Sequence, residues 1–323
     1  AVLRDALARG RSEIERRLLA RPGHGLETAA AYAYLTDAIL VALAGFIVDH
    51  VHPNHNPTAA ERMTLIAVGG YGRGEMAPHS DVDIGVLTPW KQTAWSEQVI
   101  ESTLYALWDL GLKVGHSSRS LDEMVRQAKG DVTVRTALVE ARYVWGDTAL
   151  YAEAAQRFKS EVQEGTARTF IAEKLAERDA RHKRMGDTRY VVEPNVKEGK
   201  GGLRDLHALF WIGKYAYNVR RAADLVPVGL LSAPELRKFN RAEDFLWAVR
   251  CHLHLITGRA EERLTFDVQT EIATRMRSRD RVGKSRVERF MQFYFLQAKR
   301  VGDLTGMFLS HLDETYAARG SRF

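Results

Sequence analysis

The sequence predicts an α+β protein in which a small mixed sheet is flanked by N-terminal helices and followed by an all-helical domain. Three observations carry this reading. Two short apolar runs, Leu65 to Val68 and Ile84 to Leu87, have strand length and are joined by a glycine-rich turn. A strand, helix, strand succession continues to about Ser118. From Asp131 onward the apolar spacing is mostly helical. The expected division is 1–60 for the N-terminal helical segment, 61–146 for the sheet domain and 147–323 for the helical domain.

Taken in order, Val2 to Leu19 and Leu26 to Val48 read as two amphipathic helices, separated by Pro22, Gly23 and Gly25 and forming an antiparallel pair. The loop Asp49 to Pro57 carries His50, His52 and His55. Prolines and asparagines argue against regular structure there, and without a carboxylate partner the histidines read as a solvated loop, not a metal site. Thr93 to Leu110 is the next helix, ended by Gly111, and Leu112 to Ser118 is a third strand. The remaining helices are expected at Val132 to Trp145, Ala149 to Met185, Leu203 to Tyr217, Ala233 to Ile256 and Val287 to Leu312.

With 323 residues, 45% of them apolar, the chain is long enough for two domains with ordinary cores. The single cysteine, Cys251, excludes a disulfide framework and a cysteine-based zinc site, and points to a reducing, cytoplasmic compartment. No uninterrupted apolar run reaches membrane-spanning length, so no membrane partner is expected. The chain starts at Ala1 without a signal-type segment and reads as a partial chain. Net charge is +6, with Arg275, Arg277, Arg279, Arg281, Lys284, Arg286 and Arg289 clustered in 15 positions. A solvated helix face and turn accounts for this cluster better than a nucleic-acid site.

The chemistry concentrates between Gly69 and Asp83. Gly69-Gly70-Tyr71-Gly72-Arg73-Gly74 allows positive φ and close backbone approach to phosphate oxygens. Asp81 and Asp83, two apart at the start of a strand, leave the same face and suit Mg²⁺, with Mn²⁺ as an alternative. The glycine spacing is not that of a dinucleotide fingerprint. Gly283-Lys284-Ser285 is not a P-loop either, having Ser278 in place of the first glycine. A second interruption, Glu193 to Asp205, feeds the helix starting at Leu203. It promises free N–H groups beside Lys197, Lys200 and Arg204, a second anion site.

The glycine loop followed by Asp81-x-Asp83 resembles the signature of the polymerase-β-like nucleotidyltransferases. Together with the 193–205 segment, Gly115-His116-Ser117 with Arg119, and Leu138 to Arg142, it is similar to the transferase part of the bacterial PII uridylyltransferase and uridylyl-removing family. The resemblance implies a polymerase-β-like domain plus a helical PII-uridylyltransferase domain. It also implies transfer of UMP from UTP to a tyrosine hydroxyl of a trimeric PII protein, with pyrophosphate leaving. Carried over, Asp81 and Asp83 bind the metal and are catalytic. Gly69, Gly70, Tyr71, Gly72, Arg73, Gly74 and Ser80, with Lys197, Gly201, Gly202 and Arg204, bind the nucleotide.

That family also has an HD-type hydrolase and two ACT modules. No His-Asp dipeptide occurs in this chain, so only the transferase half is expected here. A third carboxylate, usual on a later strand of such enzymes, is missing from Lys113 to His116; Asp122, Glu123, Asp131 and His116 are the nearby candidates. Alternatives are an RNA-extending nucleotidyltransferase, which would use the arginine cluster, and a catalytically silent nucleotide sensor.

Overall fold

A computed structural model describes residues 1–186 and 190–320, with side chains through residue 314. Residues 187–189 and 321–323, within the domain expected over 147–323, lie outside the described residues. The chain's contacts divide it into two units, Ala1–Glu15 with Ala29–Thr166, and Arg16–Thr28 with Ala167–Phe323.

The two N-terminal helices, α1 (Val2–Ala20) and α2 (Gly25–Phe46), are shared between the units. In the first unit come β1 (Thr64–Ala67), the single turn α3 (Gly69–Gly72), β2 (Val82–Thr88), α4 (Ala94–Asp109) and β3 (Val114–Ser120). They are followed by α5 (Leu121–Gly130), α6 (Val132–Val139), β4 (Arg142–Gly146) and α7 (Thr148–Phe158). The sheet order is β3-β2-β1-β4. β1 runs antiparallel to β2 and β4, while β2 and β3 are parallel across the α4 crossover. The sheet is therefore mixed, as expected.

Side-chain alternation gives the sheet two different faces. Leu65, Ala67, Val82, Ile84 and Val86 point to one side and join Ile39, Leu40 and Leu43 of α2 and Val99, Leu104 and Leu107 of α4 in one core. Ile66, Asp83, Gly85, Leu87, Gly115, Ser117 and Arg119 line the other side, where α6 contributes Thr133, Val134, Ala137 and Leu138. The first face carries the core, and the second is covered as well, Ile66 and Leu87 being buried, with a cleft remaining beside Asp83.

Although no uninterrupted apolar run is long enough, the helical stretch Gly25–Val51 as a whole has the length and hydropathy, 1.9, of a bilayer-crossing helix. In this fold 44% of its most apolar window is buried, and Tyr32, Ile39, Leu43 and Ile47 make it a core helix of the first unit.

Several boundaries differ from those read in the sequence. The helix expected over Val132 to Trp145 stops at Val139, and Arg142–Gly146 becomes β4. Tyr143, Val144 and Trp145 are β-formers, and the free edge of β1 offers the pairing that a helical count cannot foresee. The helix expected over Ala149 to Met185 breaks into α7 and α8 (Ala167–Arg184), because Gly165 takes φ +77° between them. The expected loop from Asp49 begins later, since α2 continues as a π-turn over Ile47–Val51.

The second unit is helical: α8, then α9 (Leu203–Tyr217), α10 (Ala233–Thr257), α11 (Phe266–Arg275) and α12 (Arg286–Gly320). α11 was absent from the sequence reading, as its ten residues sit between breakers and lead into the arginine cluster. The Phe170 and Tyr215 rings stack at 3.9 Å between α8 and α9, and Leu206, Ile212, Leu246 and Trp247 are fully buried.

Candidate active site

Asp83 is the second residue of β2, and its main chain holds the glycine turn: the Val68 N–H donates to the Asp83 carbonyl at 3.0 Å. Its side chain leaves the face opposite the core. A Cβ on Gly115, its register partner on β3, would lie 2.4 Å from Asp83 Oδ1, and a Cβ on Gly69 would lie 3.5 Å from Oδ2. The carboxylate thus sits in a slot whose walls are glycine on both sides. Asp81 lies one residue before the strand and is exposed.

Gly69 has φ +60° and starts α3, whose first three N–H groups have no acceptor within the turn. Two charge networks fix this loop. Tyr71 is buried and donates to Asp37 Oδ1 at 2.7 Å, and Arg142 of β4 clamps Asp37 at 2.8 and 3.0 Å while donating to the Tyr71 carbonyl. Burial, reinforced by the Asp37 carboxylate, pushes the Tyr71 phenol well above its usual range. On the other side Arg73, only 5% exposed, donates to Glu75 at 2.9 Å and to the buried Glu140. Against burial, Glu140 and Glu75 hold its guanidinium charged.

Gly72 packs so closely that a Cβ would fall 2.3 Å from the Glu140 carbonyl. Ser80 Oγ accepts the Ala77 N–H at 2.9 Å and shapes the approach to Asp81. The side chains of Tyr71 and Arg73 are therefore occupied beneath the loop, and what these positions offer a ligand is backbone. Sequence reading missed Asp37 and Glu140. Nothing local marks them, because their partners lie 34 and 67 positions away.

The candidates for a third carboxylate are all engaged elsewhere. Asp131 caps α6, accepting the Thr133 and Val134 N–H groups, and these bonds hold its carboxyl below the usual range. Asp122 pairs with Arg157 at 2.7 Å, and Glu123 closes the capping box with Ser120. The His116 ring lies edge-on to Trp108 of α4, and the residue also lines the cleft that holds Asp83. Among the described residues, no group of three potential metal ligands includes Asp81 and Asp83, or His50, His52 and His55. His52 instead bonds Ser102 at 2.8 Å.

In the second unit, the loop before α9 is built differently from the anion site expected of it. The Leu203, Arg204 and Asp205 N–H groups donate to the carbonyls of Val196, Lys197 and Gly202. The free donors expected at this terminus are therefore taken by the loop's own turn. Asp205 accepts the Gly201 N–H at 2.8 Å, bonds His182 at 2.8 Å and pairs with Arg181, both acid and arginine being under 5% exposed. Although burial alone would raise it, His182 and Arg181 keep the Asp205 carboxyl below its usual range. Gly201, at φ +83°, packs against Ala298, and Gly202 packs against the Val196 carbonyl. Arg204 pairs with Glu198 at 2.9 Å and lies over the Trp211 ring. Burial lowers the Lys197 ammonium, helped by Arg250.

The arginine cluster is partly committed. Arg275 pairs with Glu271 and Arg286 with Asp280, each at 2.8 Å, while Arg277 donates to the Ala20 carbonyl.

A mixed sheet with a glycine turn set against a strand that carries Asp83, with Asp81 just before it, defines a nucleotidyltransferase. Accordingly, residues 59–144 match the family model described as nucleotidyltransferase domain, and residues 169–309 match the one described as GlnD PII-uridylyltransferase. The whole chain is similar to the bifunctional uridylyltransferase/uridylyl-removing enzymes. It is 63% identical to the one from Novosphingobium aromaticivorans over 322 residues, covering 100% of this chain and 35% of that protein. Identity is 60% with the Erythrobacter litoralis enzyme (99% and 35% covered) and 54% with that of Rhodospirillum rubrum (99% and 34%). The chain spans about a third of the length of these curated relatives. The family resemblance read from the glycine loop and the 193–205 segment holds.

Proposed function

We propose that this chain transfers UMP from UTP to a tyrosine hydroxyl of a PII signalling protein, a trimer, and releases pyrophosphate. The observation that carries the reading is the Asp83 carboxylate, seated between Gly69 and Gly115 at the end of the cleft on the second sheet face. The relatives' names and the two family matches support the substrate class. In the reaction the tyrosine oxygen bonds to the α-phosphorus in line as the bond to the bridging oxygen of pyrophosphate breaks.

The donor set fits a hard divalent ion. Two carboxylates with open positions, in a slot that a single added methyl would fill, suit Mg²⁺ completed by phosphate oxygens. Asp81 and Asp83 would hold it, and when bound it supplies charge stabilisation for the attacking and leaving oxygens. The protein's own part is positioning. The α3 N–H groups of Gly69, Gly70 and Tyr71 receive phosphate oxygens, and Arg73, Gly72, Gly74 and Ser80 keep that turn in shape. In the second unit we assign nucleotide contact to the Lys197 and Arg204 side chains, with Gly201 and Gly202 shaping the loop that carries them.

Residues 61–146 are proposed as the catalytic domain, 1–60 as its helical lead-in and 147–323 as the helical PII-uridylyltransferase domain, in a cytoplasmic protein. Two members of the arginine cluster, Arg275 and Arg286, are ion-paired, and no specific observation favours the RNA-extending alternative.

The test is incubation with purified PII, labelled UTP and Mg²⁺. Asp81→Asn and Asp83→Asn should each reduce labelling by about 10²-fold or more, the scale of one lost preorganised charge-stabilising group. Near-normal labelling by either variant overturns the assignment. Replacing both Lys197 and Arg204 with Met should weaken UTP binding in calorimetry, beyond the lower ligand-free melting expected from losing the Arg204–Glu198 pair. Unchanged affinity would remove that loop from the nucleotide site.

A further inference from the structure

On this second face of the sheet, Asp83 borders a cleft of about 320 Å³ within the first unit. The register of β2 with β3 orders its floor: Asp83 faces Gly115, Gly85 faces Ser117 and Leu87 faces Arg119. At roughly 3.3 Å per residue, Arg119 begins about 13 Å along the strand from the carboxylate slot. That span is on the scale of a nucleoside monophosphate. Between the two ends the walls are apolar, with Ile66 and Leu87 from the sheet and Val134, Ala137 and Leu138 from α6. Such walls suit a flat ring better than a polyphosphate.

Arg119 differs from four other arginines of this unit. Arg62, Arg73, Arg142 and Arg157 each pair with a carboxylate. Arg119 is held by two neutral groups instead: Nε donates to Gln127 Oε1 at 2.6 Å and Nη1 to Ser117 Oγ at 3.1 Å. Among the described residues no carboxylate pairs with it, so its remaining N–H donors are oriented but not neutralised. Ser117, accepting from Arg119, has its own hydroxyl proton to give. The polar end of the cleft is therefore a set of donors.

We propose that Arg119, positioned by Gln127 and Ser117, reads the nucleobase and selects one that presents carbonyl oxygens. Uracil offers acceptors where cytosine and adenine carry an exocyclic amine. An amine facing these donors leaves polar groups on both sides unpaired, a stronger penalty than a lost contact. This inference rests on the nucleotidyl-transfer reading and deepens it to substrate specificity.

Calorimetric titration of the full chain with UTP, CTP and ATP, in Mg²⁺ and without acceptor protein, tests it. The unmodified chain should bind UTP about 10-fold or more tightly than CTP, the effect of one well-placed hydrogen bond to a charged donor. Arg119→Met should bring the two within about 3-fold, mainly by weakening UTP. Arg119→Lys keeps the charge but loses the planar fork, and should lose the preference while retaining fold and melting temperature. Equal weakening of UTP and CTP in both variants would make Arg119 a phosphate contact and overturn the inference. So would a preference that survives in either variant, or an unmodified chain that does not discriminate. Binding of none of the three nucleotides by the unmodified chain would overturn the transfer reading, and this inference with it.

Discussion

Gly115 is an exposed residue on an edge strand, yet the Asp83 carboxylate occupies the space its missing side chain leaves. Gly115→Ala should therefore displace the carboxylate and reduce transfer by about 10²-fold, while melting hardly moves. An unchanged rate with intact folding would show that Asp83 does not need this slot. A second residue reports on stability. His252 is fully buried in α10, and burial lowers its pKa from 6.5 to about 4, while its Nε2–H donates to the Pro22 carbonyl. Its folded pKa lies below the unfolded one. The unfolded chain thus takes up the proton first, so the stability this residue contributes is fully present above pH 6.5 and is lost as pH falls toward 4. The full shift corresponds to on the order of 3 kcal/mol. His252→Gln keeps a donor for Pro22 and does not titrate, so its urea midpoint should fall less between these pH values. Parallel pH profiles for the two proteins would rule the mechanism out.

At the scale of elements, the glycine turn depends on charge pairs supplied from a distance. α3 is a single turn and has no stability of its own. Arg73, between Glu75 and Glu140, and Asp37, between Tyr71 and Arg142, tie it to β4 and α2. Glu140→Ala leaves a nearly inaccessible guanidinium with half its compensation. It should cost about 3 kcal/mol, read as a lower urea midpoint for the first unit. A loss below about 1 kcal/mol would mean that Arg73 finds water or another partner. Element types with strong local signals were legible: the α4 caps at Thr93 and Gly111, and the span of α9 from Leu203 to Tyr217, agree with the sequence reading. β4 was not. Its residues suit a strand, but only the edge of β1, about 80 positions earlier, turns that preference into structure.

For the chain as a whole, the prediction is one-directional chemistry. Metal-assisted hydrolysis needs clustered histidine and aspartate ligands, and the 11 histidines here include no His-Asp pair. Incubating uridylylated PII with this chain, Mn²⁺ and glutamine should release no UMP, and glutamine should leave the forward rate unchanged. Steady UMP release, abolished by a substitution within residues 1–323, would reveal a hydrolytic site that the sequence did not disclose.

The sequence by itself determined the fold class and the family resemblance, because both rest on short-range patterns, and it marked where the proposed chemistry lies. Alternation puts Asp81 and Asp83 on one side, glycines mark where the backbone must bend or approach closely, and apolar periodicity separates strand from helix. Only the tertiary structure decided what those residues face. The slot around Asp83 is made by glycines on α3 and β3, and Arg73 is neutralised by an acid 67 residues away. The N–H groups before α9, free donors on sequence grounds, are consumed by their own loop. Partnerships of this kind depend on distance in space, which buried charges and backbone donors resolve by pairing with whatever the fold brings within reach.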